Sequence, residues 1–255
     1  MRLPRMIPTV AAVALCAAAA QPAIALSERD KAQVEQIIRE YLEKNPRVLQ
    51  EMIDRLQAVN AKEAAVQAQK EIIANWETVQ DTDSELVAGN PDGDVTVVEF
   101  FDYRCGYCRL AQPSMVRLLK EDPNVRVVFK EFPVLGPLSI TAARAAIASA
   151  RQGKYVQFHM AMMGLEESLT EEVIYRVARE QGLDVDRLKQ DMKDEAIDDV
   201  IAANLDLARR LGIEGTPNFI IGTELLQGMV PYETMTESIE KARKARKPAA
   251  KPLKG

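Results

Sequence analysis

The chain has 255 residues, 47% of them hydrophobic and 28% charged, with a formal net charge of −5 and a mean hydropathy of −0.17. That balance describes a soluble globular protein of one or two domains; it excludes a disordered chain, a multi-span membrane protein and, by its acidity, a bulk nucleic-acid binder. One histidine and three cysteines also exclude chemistry that needs paired histidines or a conventional four-ligand zinc site.

At the N-terminus Arg2 and Arg5 precede an apolar run from Ile7 to Ala20, and Ala23-Ile24-Ala25 supplies small residues two positions apart. This is the pattern of a secretory signal peptide over residues 1–25. A lipidated Cys16 is disfavoured by the bulk of Leu15 before it, and an uncleaved anchor by the shortness of the run. Cleavage after Ala25 removes Cys16, leaves the two cysteines Cys105 and Cys108, and makes the remainder more acidic.

Residues 26–80 contain one proline and no glycine and read as helix. Ser27 can cap a first helix whose stripe is Val34, Ile37, Ile38, Tyr41 and Leu42. Asn45-Pro46 ends it and starts the next, where Leu49, Met52, Leu56 and Val59 repeat at three and four residues before the stripe thins to Val66, Ile72, Ile73 and Trp76. Two such helices cannot enclose their own apolar face. They pack on copies of themselves, as the heptad-like spacing favours, or on the domain that follows.

Asp81-Thr82-Asp83-Ser84 reads as a linker, and Asn90 to Asp94 as a turn. Val95-Thr96-Val97-Val98-Glu99-Phe100-Phe101 then suits a buried central strand. Cys105-Gly106-Tyr107-Cys108 follows four residues later, ahead of a helix over Leu110 to Lys120, so Cys105 falls at a helix N-terminus, where unpaired N–H groups and the helix dipole favour a thiolate. Arg104 and Arg109 would add to this and Asp102 would oppose it. Cys108 lies one turn in, placed to resolve a mixed disulfide.

A second strand, Val125 to Lys130, precedes a helical stretch over about 138–211. Gly215-Thr216-Pro217 leads into a strand at Asn218 to Ile221, a turn at Gly222-Thr223, a strand through Glu224 to Gly228 and a last helix from about Pro231. Lys241, Arg243, Lys244, Arg246, Lys247, Lys251 and Lys254 crowd the C-terminus, and 248–255 reads as a solvated basic tail. Strand, helix, strand, helical block, Thr-Pro, hairpin and helix give an α/β thioredoxin-like fold over 81–247, with an inserted helical subdomain and an α-helical N-terminal extension.

Phe100-Phe101-Asp102-Tyr103-Arg104-Cys105-Gly106-Tyr107-Cys108, with Gly215-Thr216-Pro217-Asn218-Phe219 downstream, resembles the DsbA family of bacterial periplasmic thiol–disulfide oxidoreductases. The N-terminal helices, with Tyr41-Leu42-Glu43-Lys44-Asn45-Pro46, resemble those of its ScsC branch. The resemblance implies a periplasmic enzyme with no cofactor, in which Pro217 is cis beside the cysteine pair and Thr216, Pro217, Gly106 and Tyr107 shape a peptide-binding surface. It also implies that Glu99 and Lys130 form a partly buried pair moving protons to and from Cys108. From the residues alone they read equally well as a strand acid and a strand-end base facing solvent.

In the implied mechanism the Cys105 thiolate attacks a substrate disulfide and Cys108 resolves the mixed disulfide. Gly106-Tyr107 is similar to the dipeptide of the DsbC isomerases and unlike the Pro-His of the oxidant DsbA, which favours an isomerase or reductase over a dithiol oxidase. The implied partners are unfolded or misoxidised periplasmic proteins, a DsbD-like membrane reductant (DsbB-like for an oxidase) and two further copies in a trimer through 26–80; no nucleic-acid partner is implied. Copper binding by the same two thiolates is the alternative from another class. His159-Met160-Ala161-Met162-Met163 is read as core filler rather than as a copper site, because three methionines so spaced on a helix cannot face one point.

Overall fold

The computed structural model describes residues 27–82 and 86–245. The leader with Cys16 and the tail at 248–255 lie outside the described residues. The chain divides into two compact units, residues 1–58 and 59–255.

In the first unit α1 (Glu28–Lys44) opens with a capping box. The Asp30 N–H donates to Ser27 Oγ at 3.2 Å, and the Ser27 N–H donates to the Asp30 carboxylate at 3.3 Å. Asn45 closes the helix with its N–H on the carbonyls of Tyr41 and Leu42. Proline, which needs no N–H partner in a first turn, begins α2 (Pro46–Ala74). No residue of α1 is buried, and Val34, Ile37, Ile38, Tyr41, Leu49, Met52, Ile53 and Leu56 all stand exposed.

The second unit is built on a five-stranded sheet in the order β1-β3-β2-β4-β5: β1 (Val87–Gly89), β2 (Val95–Phe101), β3 (Val125–Glu131), β4 (Asn218–Ile221) and β5 (Glu224–Gln227). β2 and β3 are parallel and every other pairing is antiparallel. All seven residues of β2 are buried, so its alternation divides the core between two faces. Val97, Phe101, Val127, Phe129, Phe219 and Ile221 share one apolar cluster, joined by Met115 and Leu118 of α4 (Gly106–Glu121) and by Met235 and Ile239 of α10 (Tyr232–Ala245). Val98, Phe100, Val128 and Ile220 belong to the other.

That second face is covered by Ile72 from the end of α2, Val79 of α3 (Trp76–Gln80) and Leu207, Ala208 and Leu211 around the end of α9 (Glu195–Arg210). The sequence groups 26–80 as one helical segment; in the structure, residues from Val59 onward belong with the sheet. The insertion is five helices: α5 (Pro137–Ala150), α6 (Tyr155–Met163), α7 (Glu171–Glu180), α8 (Val185–Asp191) and α9. Thr170, Asp184 and Asp194 cap the last three with side-chain oxygens.

β1 is absent from the sequence reading. Three residues carry no periodicity, and the strand ends at Gly89, whose φ of +77° and approach to Val125 (a Cβ would lie 2.6 Å from its carbonyl oxygen) admit only glycine.

Candidate active site

Cys105 is the N-cap of α4, with φ −76° and ψ 114°. It sits at the handover from β2 to the helix, as its position in the sequence predicts. Asp102 ties the intervening loop down. Its carboxylate accepts the N–H groups of Arg104 (2.8 Å), Val134 (2.9 Å) and Leu135 (3.0 Å), fastening the stretch before Cys105 to the stretch after β3. Arg109 fixes the same loop from the helix side, donating to the carbonyls of Tyr103, Leu165 and Glu167, and Arg104 donates to the Leu135 carbonyl. Asp102, Arg104 and Arg109, whose opposing charges the sequence leaves unweighed, thus bond backbone groups and build the loop that carries Cys105.

Both cysteines are free thiols, and they differ sharply. Cys105 is pulled down to about 5, first by the hydrogen bond from the Cys108 thiol and then by Thr216 and the N–H groups of Cys108 and Tyr107, against the opposing effect of burial. Cys108 is only 1% exposed and is pushed far up, by the same hydrogen bond to Cys105 and then by burial. One sulfur is therefore a thiolate at neutral pH and its neighbour is the proton donor that stabilises it. Thr216 lies against the pair, with the Cys105 thiol 3.3 Å from its carbonyl oxygen, and the Thr216–Pro217 peptide bond is cis. Gly106 faces open space, where a Cβ would meet nothing within 4 Å, and Tyr107 is 65% exposed.

The structure does not bring Glu99 and Lys130 together. In the parallel register Glu99 lies beside Phe129, and Lys130 beside Phe100, so the two side chains project from opposite faces of the sheet. Glu99 shares the face of the cysteine pair. Burial, then the negative charge of Cys105, push its carboxyl up to about 8. On the far face, Lys130 donates to the carbonyls of Thr78 and Asp81, and burial brings it down to about 8. The expected pair is corrected: Glu99 is buried on the face of the cysteines and Lys130 on the opposite one.

Glu131 and its partners are missing from the sequence-derived set. Its carboxylate accepts the hydroxyls of Tyr103 and Tyr155, and His159 packs among Phe101, Tyr103, Phe129 and Tyr155. Met162 and Met163 are buried core residues, as expected. Among the described residues no group of three or more His, Cys, Asp or Glu side chains could hold a metal ion.

Glu99 has a pH signature with a defined sign. Below its ordinary value of 4.5 both folded and unfolded chains hold the proton; between 4.5 and about 8 only the folded chain does. Stability of the reduced protein therefore falls as pH rises through that window, and the cost is complete above it. Glu99→Gln removes the burial of a charge, so the variant is expected to gain roughly 1–3 kcal/mol at pH 8.5 and little at pH 4.5, read from denaturation midpoints in reductant. An equal gain at both pH values would show that Glu99 does not titrate there.

Comparison with known proteins agrees with this geometry. Residues 96–240 match the family model of the DSBA-like thioredoxin domain, and residues 30–63 that of the copper resistance protein ScsC N-terminal domain. A thioredoxin-like oxidoreductase from Silicibacter pomeroyi is 45% identical with a TM-score of 0.64, covering 66% of this chain and 98% of that one. Proteus mirabilis ScsC in a transitional conformation is 25% identical with a TM-score of 0.63, covering 86% and 98%. The Na(+)/H(+) antiporter NhaA 3 of Salinispora tropica is 30% identical over 164 residues, 64% of this chain but 25% of the antiporter, so the chain spans about a quarter of that relative. No described helix is long and apolar enough to cross a membrane.

Proposed function

The chain belongs to the family of DsbA-like thioredoxin domains, and from that premise we propose that it is a secreted thiol–disulfide oxidoreductase that shuffles or reduces disulfides in periplasmic proteins. The observation that carries the reading is the asymmetry of the cysteine pair: Cys105 ionises near pH 5 at a helix N-cap while Cys108 stays a buried thiol one turn away.

The steps follow from that asymmetry. The Cys105 thiolate attacks one sulfur of a substrate disulfide, the substrate's S–S bond breaks, and the released sulfur leaves as a thiolate. Cys105 in the mixed disulfide no longer carries the charge that held the Cys108 proton. Cys108 then loses that proton and attacks Cys105, which frees a reduced substrate, or another thiolate of the substrate attacks the substrate sulfur of the mixed disulfide, forming a new substrate S–S bond and releasing Cys105 as the thiolate. Glu99, buried on the same face, is the nearby group suited to take the Cys108 proton. Tyr107, Leu110, Val134 and Leu135 stand exposed on the helix and loops around the pair, an apolar rim suited to unfolded chains rather than to one folded partner.

Two features support shuffling over oxidation. Gly106-Tyr107 puts no imidazole beside Cys105, and the exposed apolar stripe of α1 and the start of α2 supplies a means of self-association, with a trimer as the proposed assembly. A membrane reductant of the DsbD type would keep the pair reduced. The deciding experiment is refolding of a scrambled multi-disulfide protein under reducing poise. Recovery of the native pairing is expected; failure to unscramble combined with rapid oxidation of a reduced substrate would show that the enzyme is an oxidase instead.

A further inference from the structure

The sheet has a free edge that disulfide exchange at Cys105 does not by itself require. β5 is an outermost strand and pairs only with β4. The Gly228 N–H donates to the Pro217 carbonyl at 2.9 Å. Counting from there, the antiparallel alternation makes Phe219 with Leu226 and Ile221 with Glu224 the hydrogen-bonded pairs. The N–H and C=O groups of Leu225 and Gln227 therefore point away from the sheet, and no described residue bonds them.

A trough of about 1140 Å³ follows this edge, lined by all four residues of β5. One wall is the later part of α2, whose Ala61, Ala64, Ala65 and Ala68 recur at helical spacing and offer only methyl groups. The other wall is α10, with Ser238, Lys241 and Ala242. α2 packs on the face of Val98 and Phe100, and α10 on that of Val97 and Phe101, so the β5 edge is the floor between them. Gln69 of α2 donates to the Thr223 hydroxyl at 3.1 Å, which fixes the helix beside the turn between β4 and β5. Ser238 is 2% exposed, and among the described residues its Oγ has no hydrogen-bond partner. A buried hydroxyl left open in a cavity is available to whatever fills it.

Charge narrows the occupant. Lys62, Arg209, Arg210 and Lys241 line the trough against Glu71 and Glu224. Arg209 and Arg210 share Asp206 and Lys241 stands 3.9 Å from Glu224, so Lys62, with no ion pair among the described residues, is the charge left for a ligand. Residues 246–255 of the chain itself are badly matched: Arg246, Lys247, Lys251 and Lys254 repeat the sign of the trough, and Pro248 and Pro252 have no N–H to give a strand. A lipid would leave the outward groups of Leu225 and Gln227 unbonded.

Resting on the exchange reading above, we propose that the trough binds an extended, acidic segment of the unfolded substrate as a sixth strand beside β5. Main-chain hydrogen bonds to Leu225 and Gln227 supply the affinity, and the alanine face of α2 leaves room for the added backbone. The added strand lies two strand spacings, roughly 10 Å, from β4. β4 starts after Pro217, beside the Thr216 carbonyl that touches Cys105, so a segment held here keeps a nearby substrate cysteine close to the thiolate.

The probe is a ten-residue peptide of alternating valine and glutamate without cysteine, added to the full-length protein and followed by fluorescence anisotropy and amide hydrogen exchange. The peptide is expected to bind and to slow exchange of the Leu225 and Gln227 amides at least tenfold. Ala64→Gln with Ala65→Gln, which fills the trough from an exposed helix face, should weaken binding at least tenfold, and lysine in place of glutamate in the peptide about fivefold. The bound peptide should also slow reduction of a scrambled protein at least threefold. Binding that leaves the two amides unprotected, or that the double variant does not weaken, overturns the inference, as does oleate binding where the peptide does not. Equal affinity for the lysine peptide overturns the acidic preference, and reduction unaffected by saturating peptide overturns the role in substrate capture. Protection of the two amides without peptide overturns the choice of occupant: if it grows with protein concentration the edge is held by a second copy, and if it does not, by the chain itself. A wild-type chain that protects these amides with peptide yet never exchanges with glutathione sinks the exchange reading and leaves the trough as a peptide site.

Discussion

Replacing Cys105 with serine is expected to remove disulfide exchange by at least about 1,000-fold, because a hydroxyl at neutral pH offers no anion comparable to the thiolate. Cys108 cannot stand in. It is 1% exposed, and its thiol is driven far above neutrality by the hydrogen bond to Cys105 and by burial. Cys108→Ser has a different signature. Attack through Cys105 survives, resolution does not, and mixed disulfides with substrate accumulate, visible as reductant-sensitive adducts by mass spectrometry. Cys108→Ala goes one step further by removing the hydrogen bond that does most to lower Cys105. Its thiolate absorbance is expected to titrate above the wild-type midpoint of about 5. Appreciable exchange by Cys105→Ser with a protein substrate would remove the nucleophile assignment.

What could be read in the sequence was what local grammar encodes. The β-branched run at Val95 to Phe101 had to be a central strand, and the change to helical spacing after Cys108 placed Cys105 at a helix start before any fold was known. The Lys130 assignment failed for a reason with the same period of two: Glu99 aligns with Phe129, so the next residue along β3 turns to the opposite face. A basic residue near a strand end looks the same in sequence whichever way the strand faces. Glu131 was invisible for another reason. Its partner Tyr155 sits in the inserted helices, and no spacing rule links a strand end to a helix beyond an intervening one. The assignment of Val59 onward to the sheet likewise depends on which face needed covering: Ile72 is fully buried in the cluster behind β2, while the similarly apolar Ile73 beside it stands exposed.

Charging the stripe of the N-terminal helices is expected to separate assembly from chemistry. Ile37 on α1 is 66% exposed and Met52 on α2 60%, on faces whose neighbours Val34, Ile38, Tyr41, Ile53 and Leu56 are also exposed. Each such side chain buried between subunits would contribute about 1.5–3 kcal/mol, and an unpaired carboxylate in the same place costs several. Glutamate is itself a good helix former, so Ile37→Glu with Met52→Glu leaves α1 capped by Ser27 and Asp30 and changes only what the face can adhere to. Sedimentation is expected to shift from the proposed trimer to monomer. Unscrambling of a multi-disulfide protein should fall tenfold or more, since several thiolates no longer surround one substrate at high effective concentration. Exchange with glutathione, which needs a single Cys105, should stay within about twofold of wild type, because neither substitution touches the thiolate or its hydrogen bonds. A variant that sediments as wild type would refute the stripe as the assembly surface, and a monomer that unscrambles at the wild-type rate would show that Cys105 shuffles disulfides alone.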